Sequence, residues 1–205
     1  INLGRVGFMT ELSVEEAVTR IPAYLEGSPR VERRMMLQAS VVSGAHDGPP
    51  TRLTALNDVV VGRSPTAGVA DVAMKVDGQR FTTYRVDAVI VATATGSTGY
   101  ALAAGGPVLH PEAELILVQP LAPHMSFGTG LVVGRGAVIE LGVGGADGAE
   151  LSFDTFKEAA LGPGDRVVIE VSPHEALFLR AEGASAFYAS LTRRLSPDAP
   201  RGRVG

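Results

Sequence analysis

The chain has 205 residues, room for one domain or two small ones and enough to bury a core without a disulfide or metal staple. Apolar residues make up 45% and charged residues 20% of it, an ordinary globular balance that excludes an intrinsically disordered chain. It has no cysteine, which excludes a disulfide scaffold, a thiol nucleophile and a cysteine-based zinc site and fits a reducing cytoplasm. A net charge of −4 with no basic block argues against nucleic acid as a partner. Neither a secretory signal nor an apolar run of membrane-spanning length is visible, so no membrane partner is expected. The first residue is Ile1 rather than Met, so the chain is expected to begin part-way through a longer gene product.

In chain order, Ile1 to Thr10 reads as a short strand entering a glycine-bearing loop. Ser13 and Glu16 have the spacing of a capping box, and Ala17, Val18, Ile21 and Leu25 have helical spacing over 14–25, with a kink or early end expected near Ile21 because of Pro22. After Pro29 the character changes to strands. Met35, Leu37, Ala39 and Val41 alternate with their neighbours, Leu53 to Val61 forms one candidate strand interrupted by Asn57-Asp58, and 72–76 pairs with 81–86 across an Asp77-Gly78 hairpin turn. Ala88 to Ala92 is a near-continuous apolar run, the mark of a strand buried on both faces. Further candidates are 115–118, 131–133, 138–143, 150–153, 167–171 and 176–179, followed by a helix over 184–196.

These short strands predict a mainly β fold, an atypical β-sandwich of about ten or more strands with a helix near each end. The boundaries expected are a strand-loop-helix lead-in (1–28), a β domain (29–183), the terminal helix and a frayed tail (197–205), all in one domain, with 43–50 as a long surface loop.

The segment most suited to chemistry is TATGSTGYALAAGGP, 93–107, which combines Gly96, Gly99, Gly105 and Gly106 with the hydroxyls of Thr93, Thr95, Ser97 and Thr98. Glycines let backbone N–H groups approach a ligand closely, and a tight Ser/Thr/Gly turn is the plainer alternative. A Walker A loop is excluded because no Lys lies near, a nucleophile elbow because Thr95 stands in place of its first glycine, and a dinucleotide fingerprint because Asp147 stands where the third glycine would be. The four histidines lack metal-ligand spacing. Asp58 beside Asn57 offers two acceptor oxygens that match a vicinal diol, with an exposed edge position as the alternative. Asp87 reads equally as a turn residue, and Asp154 as strand-end punctuation.

Together, INLGRVGFMTEL (1–12), LTALNDVVVGR (53–63), DAVIVATATGSTGYALAAGGPVLHP (87–111), LILVQPLAPHMSF (115–127), LSFD (151–154) and LGPGDRV (161–167) resemble the NAD kinase family in order and spacing. The resemblance implies transfer of phosphate from ATP or polyphosphate, with Mg²⁺ accompanying the ATP, to the adenosine-ribose 2′-hydroxyl of NAD. It implies a two-domain plan in which this chain is the C-terminal NAD-binding domain. The α/β N-terminal domain, with the Gly-Gly-Asp-Gly-Thr loop that holds the family's catalytic Asp, is not among these residues, so no catalytic residue and no metal ligand is expected here and the chain alone is expected to be inactive. It implies NAD contacts by Asn57, Asp58, Arg85, Asp87, Thr98, Gly99, Tyr100, Ala101, Leu102 and Ala103, a homo-dimer or homo-tetramer, and a cytoplasmic location. The chain departs from the family pattern at Asp58, where Glu is usual, at Ala101 and Ala103, where hydroxyls are usual, and at Gly128, Thr155 and Phe156. A non-catalytic nucleotide-binding or regulatory module of the same family, and a lipid-kinase relative, are the alternatives.

Overall fold

Alternating apolar residues build most of what is seen. The computed structural model describes residues 12, 14–27, 29–43, 50–65, 67–124, 127–154, 156–180 and 186–195. They form helix α1 (Val14–Glu26), strands β1 (Arg30–Val42), β2 (Thr51–Ala55), β3 (Asp58–Arg63), β4 (Ala70–Val76), β5 (Gln79–Val86) and β6 (Ala88–Thr93), and helix α2 (Tyr100–Ala103). Strands β7 (Leu115–Leu121), β8 (Leu131–Gly134), β9 (Ile139–Val143), β10 (Ala149–Phe153), β11 (Phe156–Leu161) and β12 (Arg166–Arg180) follow, and then helix α3 (Ala186–Leu195). The expected lead-in strand, the capping residue Ser13, most of the 43–50 loop and the tail lie outside the described residues.

The chain divides into two compact units, Arg34–Ala176 and a smaller one made of Ile1–Arg33 with Leu177–Gly205. In the smaller unit, Glu32 is buried and pairs with Arg180 at 3.2 Å. Helix α1 passes through Pro22 rather than ending at Ile21. The missing N–H deprives the Val18 carbonyl of its partner, but Val18 and Pro22 are both exposed, so water can satisfy that carbonyl.

The larger unit is a sandwich, as the alternation predicts. One sheet has the order β2-β1-β12-β9-β4-β5 and the other β11-β10-β3-β6-β7-β8. Leu37, Val72, Met74, Leu141 and Ile169 from the first sheet and Val59, Val61, Val89, Val91 and Leu151 from the second fill one shared core. Burying such side chains stabilises by roughly 1.5–3 kcal/mol each. The hairpin joining β4 to β5 turns at Asp77 (φ 51°) and Gly78 (φ 76°), the left-handed pair that matches strand twist. The Asp77 carboxylate then accepts the N–H of Val138 at 2.8 Å.

Four strand expectations are corrected. Leu53 to Val61 is not one strand: β2 pairs with β1 in the first sheet and β3 pairs with β6 and β10 in the second, so the chain changes sheets at Asn57. The 167–171 and 176–179 stretches are one strand, β12, because the fixed φ of Pro173 is compatible with extended backbone. Strand β11 was not expected from FKEAAL, and forms by antiparallel pairing with β10 at the sheet edge. Strands β1 and β12, with 13 and 15 residues, are not short.

Candidate functional site

Strand β6 explains where the site lies. Its odd-numbered residues Val89 and Val91 face the inter-sheet core, whereas Ala88, Ile90 and Ala92 face outward into a second apolar cluster with Val60, Leu117 and Ala101. The segment after β6 therefore folds back over the outer face of its own sheet, with α2 seated on the cluster. The continuous apolar run predicted this burial on both faces.

The glycine-rich loop is built largely by its own hydroxyls. Thr93 donates from Oγ1 to the Leu56 carbonyl at 2.7 Å and accepts the N–H of Gly96 at 3.0 Å. Ser97 donates to the Ala94 carbonyl and accepts the N–H of Leu109, and Thr98 donates to the Thr95 carbonyl. The buried Arg34 guanidinium donates to Thr95 at 3.4 Å. Gly96 has a steric role: a Cβ there would lie 2.9 Å from the Asn57 Cα and closer still to its carbonyl. The loop can thus lie directly against the turn carrying Asn57 and Asp58, and the Thr93 N–H donates to the Asn57 carbonyl at 2.8 Å.

That turn is held from the opposite side by Asp154. Its Oδ2 accepts the N–H of Leu56 at 2.8 Å, and its Oδ1 accepts the N–H groups of Asn57 at 2.6 Å and Asp58 at 3.2 Å. The Asp58 side chain is only 6% exposed. Burial, and secondarily the Asp154 charge, raise its pKa from 3.8 to about 6, since both disfavour a second negative charge.

Beside the loop, on the outer face of β3, β6 and β10, lies a cavity of about 490 Å³. Its lining includes Val60, Gly62, Leu121 and the polar side chains of Arg63, Asp87, Tyr100, Glu150 and Ser152. Asp87 pairs with Arg63 at 3.4 Å. The Tyr100 phenol has a raised pKa, first through burial and then through Asp87 and Asp58, so it stands within electrostatic reach of both carboxylates. An apolar floor, an aromatic face and a few convergent polar groups are what a small-molecule site requires.

Of the residues singled out in the sequence, Asp87 and Tyr100 line the cavity, whereas Asp58 lies outside its lining but within electrostatic reach of Tyr100, with Asn57 on the adjoining turn and Thr98 and Gly99 leading into Tyr100. Ala101 is fully buried and faces the sheet, Leu102 is half-buried and Ala103 is exposed. Arg85 lies on β5 in the other sheet, paired with Asp71 at 3.4 Å, and does not line the cavity. Arg63, Glu150, Ser152 and the clamping role of Asp154 escaped the sequence reading. Glu150 and Ser152 carried only the ordinary alternation of a strand. The described residues contain no group of three or more His, Asp or Glu suited to a metal ion. They do not fit a resident Mg²⁺ site.

Fold and site together define a two-sheet β domain with a small-molecule-sized cavity on the outer face of one sheet. A family profile described as the ATP-NAD kinase C-terminal domain matches residues 56–181. The NAD kinase of Dehalococcoides mccartyi is 39% identical over 196 residues, covering 95% of this chain and 68% of the relative. That of Cupriavidus pinatubonensis is 40% identical over 195 residues, covering 95% and 63%. Among solved structures, an NAD kinase from Archaeoglobus fulgidus in complex with ATP superposes with a TM-score of 0.74 at 32% identity, covering 93% of this chain and 72% of that one. Yeast NADH kinase complexed with NADH shares the fold, with a TM-score of 0.87 at 22% identity over 99% of this chain and 59% of that one. The chain belongs to the NAD kinase family, a family of phosphotransferases, and corresponds to its C-terminal domain. It spans 63% to 68% of the length of these two curated relatives. Among the described residues, no helix is long and apolar enough to cross a membrane.

Proposed function

We propose that this chain is the NAD-binding part of an enzyme that transfers phosphate from ATP or polyphosphate to the adenosine-ribose 2′-hydroxyl of NAD. The observation that carries the reading is a cavity walled by Asp87 and Tyr100 beside a glycine-rich loop, with Asp58 within electrostatic reach of Tyr100, in a chain of this family. Support for the ligand classes comes from the relatives' bound ATP and NADH. Asn57 and Asp58 hold the ribose: with a pKa of about 6 the Asp58 carboxyl is mostly ionised at neutral pH, and its oxygens accept from a vicinal diol. Tyr100 offers an aromatic face, and the backbone of 98–103 borders the base. Arg85 and Asp87 contact the remainder of the dinucleotide, and for Arg85, outside the cavity, this happens in an assembly of subunits. Dimer or tetramer assembly and a cytoplasmic location belong to the same proposal and rest on the family resemblance.

Phosphoryl transfer depends mainly on positioning and charge stabilisation. In this reading the chain positions the acceptor hydroxyl and excludes water from it, and the base and phosphoryl-donor site lie in the family's N-terminal domain. Mg²⁺ bound with the ATP would supply charge neutralisation at the phosphates. The test is NADP formation from NAD, ATP and Mg²⁺, with a polyphosphate arm to identify the donor. The 205-residue chain alone is expected to make none, and the same chain joined to an N-terminal domain of the family is expected to make NADP. No NADP from that joined protein, folded and with either donor, contradicts the reading.

A further inference from the structure

Asp154 looks like punctuation at the end of β10, yet it does three things at once. It adopts a left-handed backbone conformation, φ 44°, which Asp tolerates better than most residues. Its own N–H donates to the Asp58 carbonyl at 3.1 Å. Its carboxylate takes the N–H groups of Leu56, Asn57 and Asp58 on two different oxygens. These donors become available because the chain leaves the first sheet at Ala55 and enters the second at Asp58, so Leu56 and Asn57 belong to neither ladder. An Asn side chain has one acceptor oxygen and cannot serve both sides of the turn. A carboxylate beside the buried Asp58 is electrostatically unfavourable, so the three N–H bonds to its two oxygens are kept at a cost.

We propose that Asp154 is a positioning residue that clamps the Leu56–Asp58 turn against the glycine-rich loop and so sets the placement of the Asn57 and Asp58 side chains that receive the ribose. The proposal rests on the nucleotide reading for its ligand, but its geometry is ligand-independent. Thr93 holds the other side of the turn through the Leu56 and Asn57 carbonyls and also accepts the Gly96 N–H, so turn and loop form one unit. The ionisable groups that face Asp58 are Asp154, just after β10, and Tyr100 of α2; Asp87, Arg63 and Glu150 line the cavity farther along the same sheet face, and the outward residues of β6 are apolar.

The test compares the full chain with Asp154→Asn and Asp154→Glu. The Asp58 carboxyl is titrated by NMR without ligand, amide exchange is followed at residues 56–58, and NAD affinity is measured by calorimetry. Asp154→Asn is expected to move the Asp58 midpoint downward, to speed exchange at Leu56 and Asn57, and to weaken NAD binding roughly ten- to a hundredfold. Asp154→Glu, which keeps both acceptor oxygens, is expected to recover part of the affinity. An Asp154→Asn protein with unchanged titration, exchange and affinity overturns the proposal. If Asp154→Asn does not fold, slow wild-type exchange at Leu56 and Asn57 together with NAD binding by Asp154→Glu supports it, and exchange at exposed-loop rates overturns it. If wild type binds no NAD while the ligand-free readouts move as expected, the nucleotide reading fails and the clamp stands.

Discussion

Gly96→Ala is expected to destabilise the protein by about 3 kcal/mol or more, beyond the usual range for overpacking because the obstacle is backbone. The added methyl meets the Asn57 carbonyl group, and the Gly96 φ is not in the left-handed region, so the penalty is steric. That carbonyl accepts the Thr93 N–H at 2.8 Å, and the Asn57 N–H is held by Asp154, so the turn cannot retreat without giving up hydrogen bonds. Thermal melting should show a fall of roughly 6–12 °C. Gly134→Ala is the control: a Cβ there meets nothing within 4 Å, and its melting temperature should stay close to wild type. NAD binding should be lost in Gly96→Ala even below its melting temperature, because the loop and the Asn57 turn separate.

Asp58→Asn is expected to act in the opposite direction on stability. The folded-state pKa of Asp58 is raised to about 6 from 3.8, so between these values the folded protein binds more protons than the unfolded chain. Stability from this group therefore declines as pH rises from about 4 to 6 and stays low above it. The displacement sets a ceiling on the order of 3 kcal/mol on what the buried charge costs at neutral pH. Asn is nearly the same size and carries no charge, so Asp58→Asn should melt higher than wild type at pH 7.5, and the difference should shrink toward pH 4. It should also lose the diol acceptor and weaken NAD binding by at least roughly tenfold. A buried carboxylate retained at a stability cost is common at functional sites. An Asp58→Asn protein that melts lower at pH 7.5 would show that the carboxylate is a structural element.

What could be read from the amino acids follows the range of the interactions. The β6 strand was legible because burial on both faces leaves an unbroken apolar run, and the β4–β5 hairpin because Asp77-Gly78 suits a left-handed turn. The glycine-rich loop, Asp58 and Tyr100 stood out through composition and family resemblance. The change of sheets at Asn57 was hidden because the group that satisfies its freed N–H donors, Asp154, lies 97 residues along the chain. Strand β11 was hidden because Lys, Glu and Ala favour no strand, and its register comes from β10. Pro22 was read as a kink or early end near Ile21, yet its missing N–H is tolerated on the exposed face of α1.

In the function proposed above, this domain carries the NAD site on the outer face of β3 and β6. The most direct measurement is a calorimetric titration of the folded 205-residue chain with NAD, beside Asp58→Asn. Saturable one-to-one binding by the wild type, weakened by at least roughly tenfold in Asp58→Asn, is the predicted result. Absence of NAD binding by the folded wild type, or equal affinity in the two proteins, would contradict it.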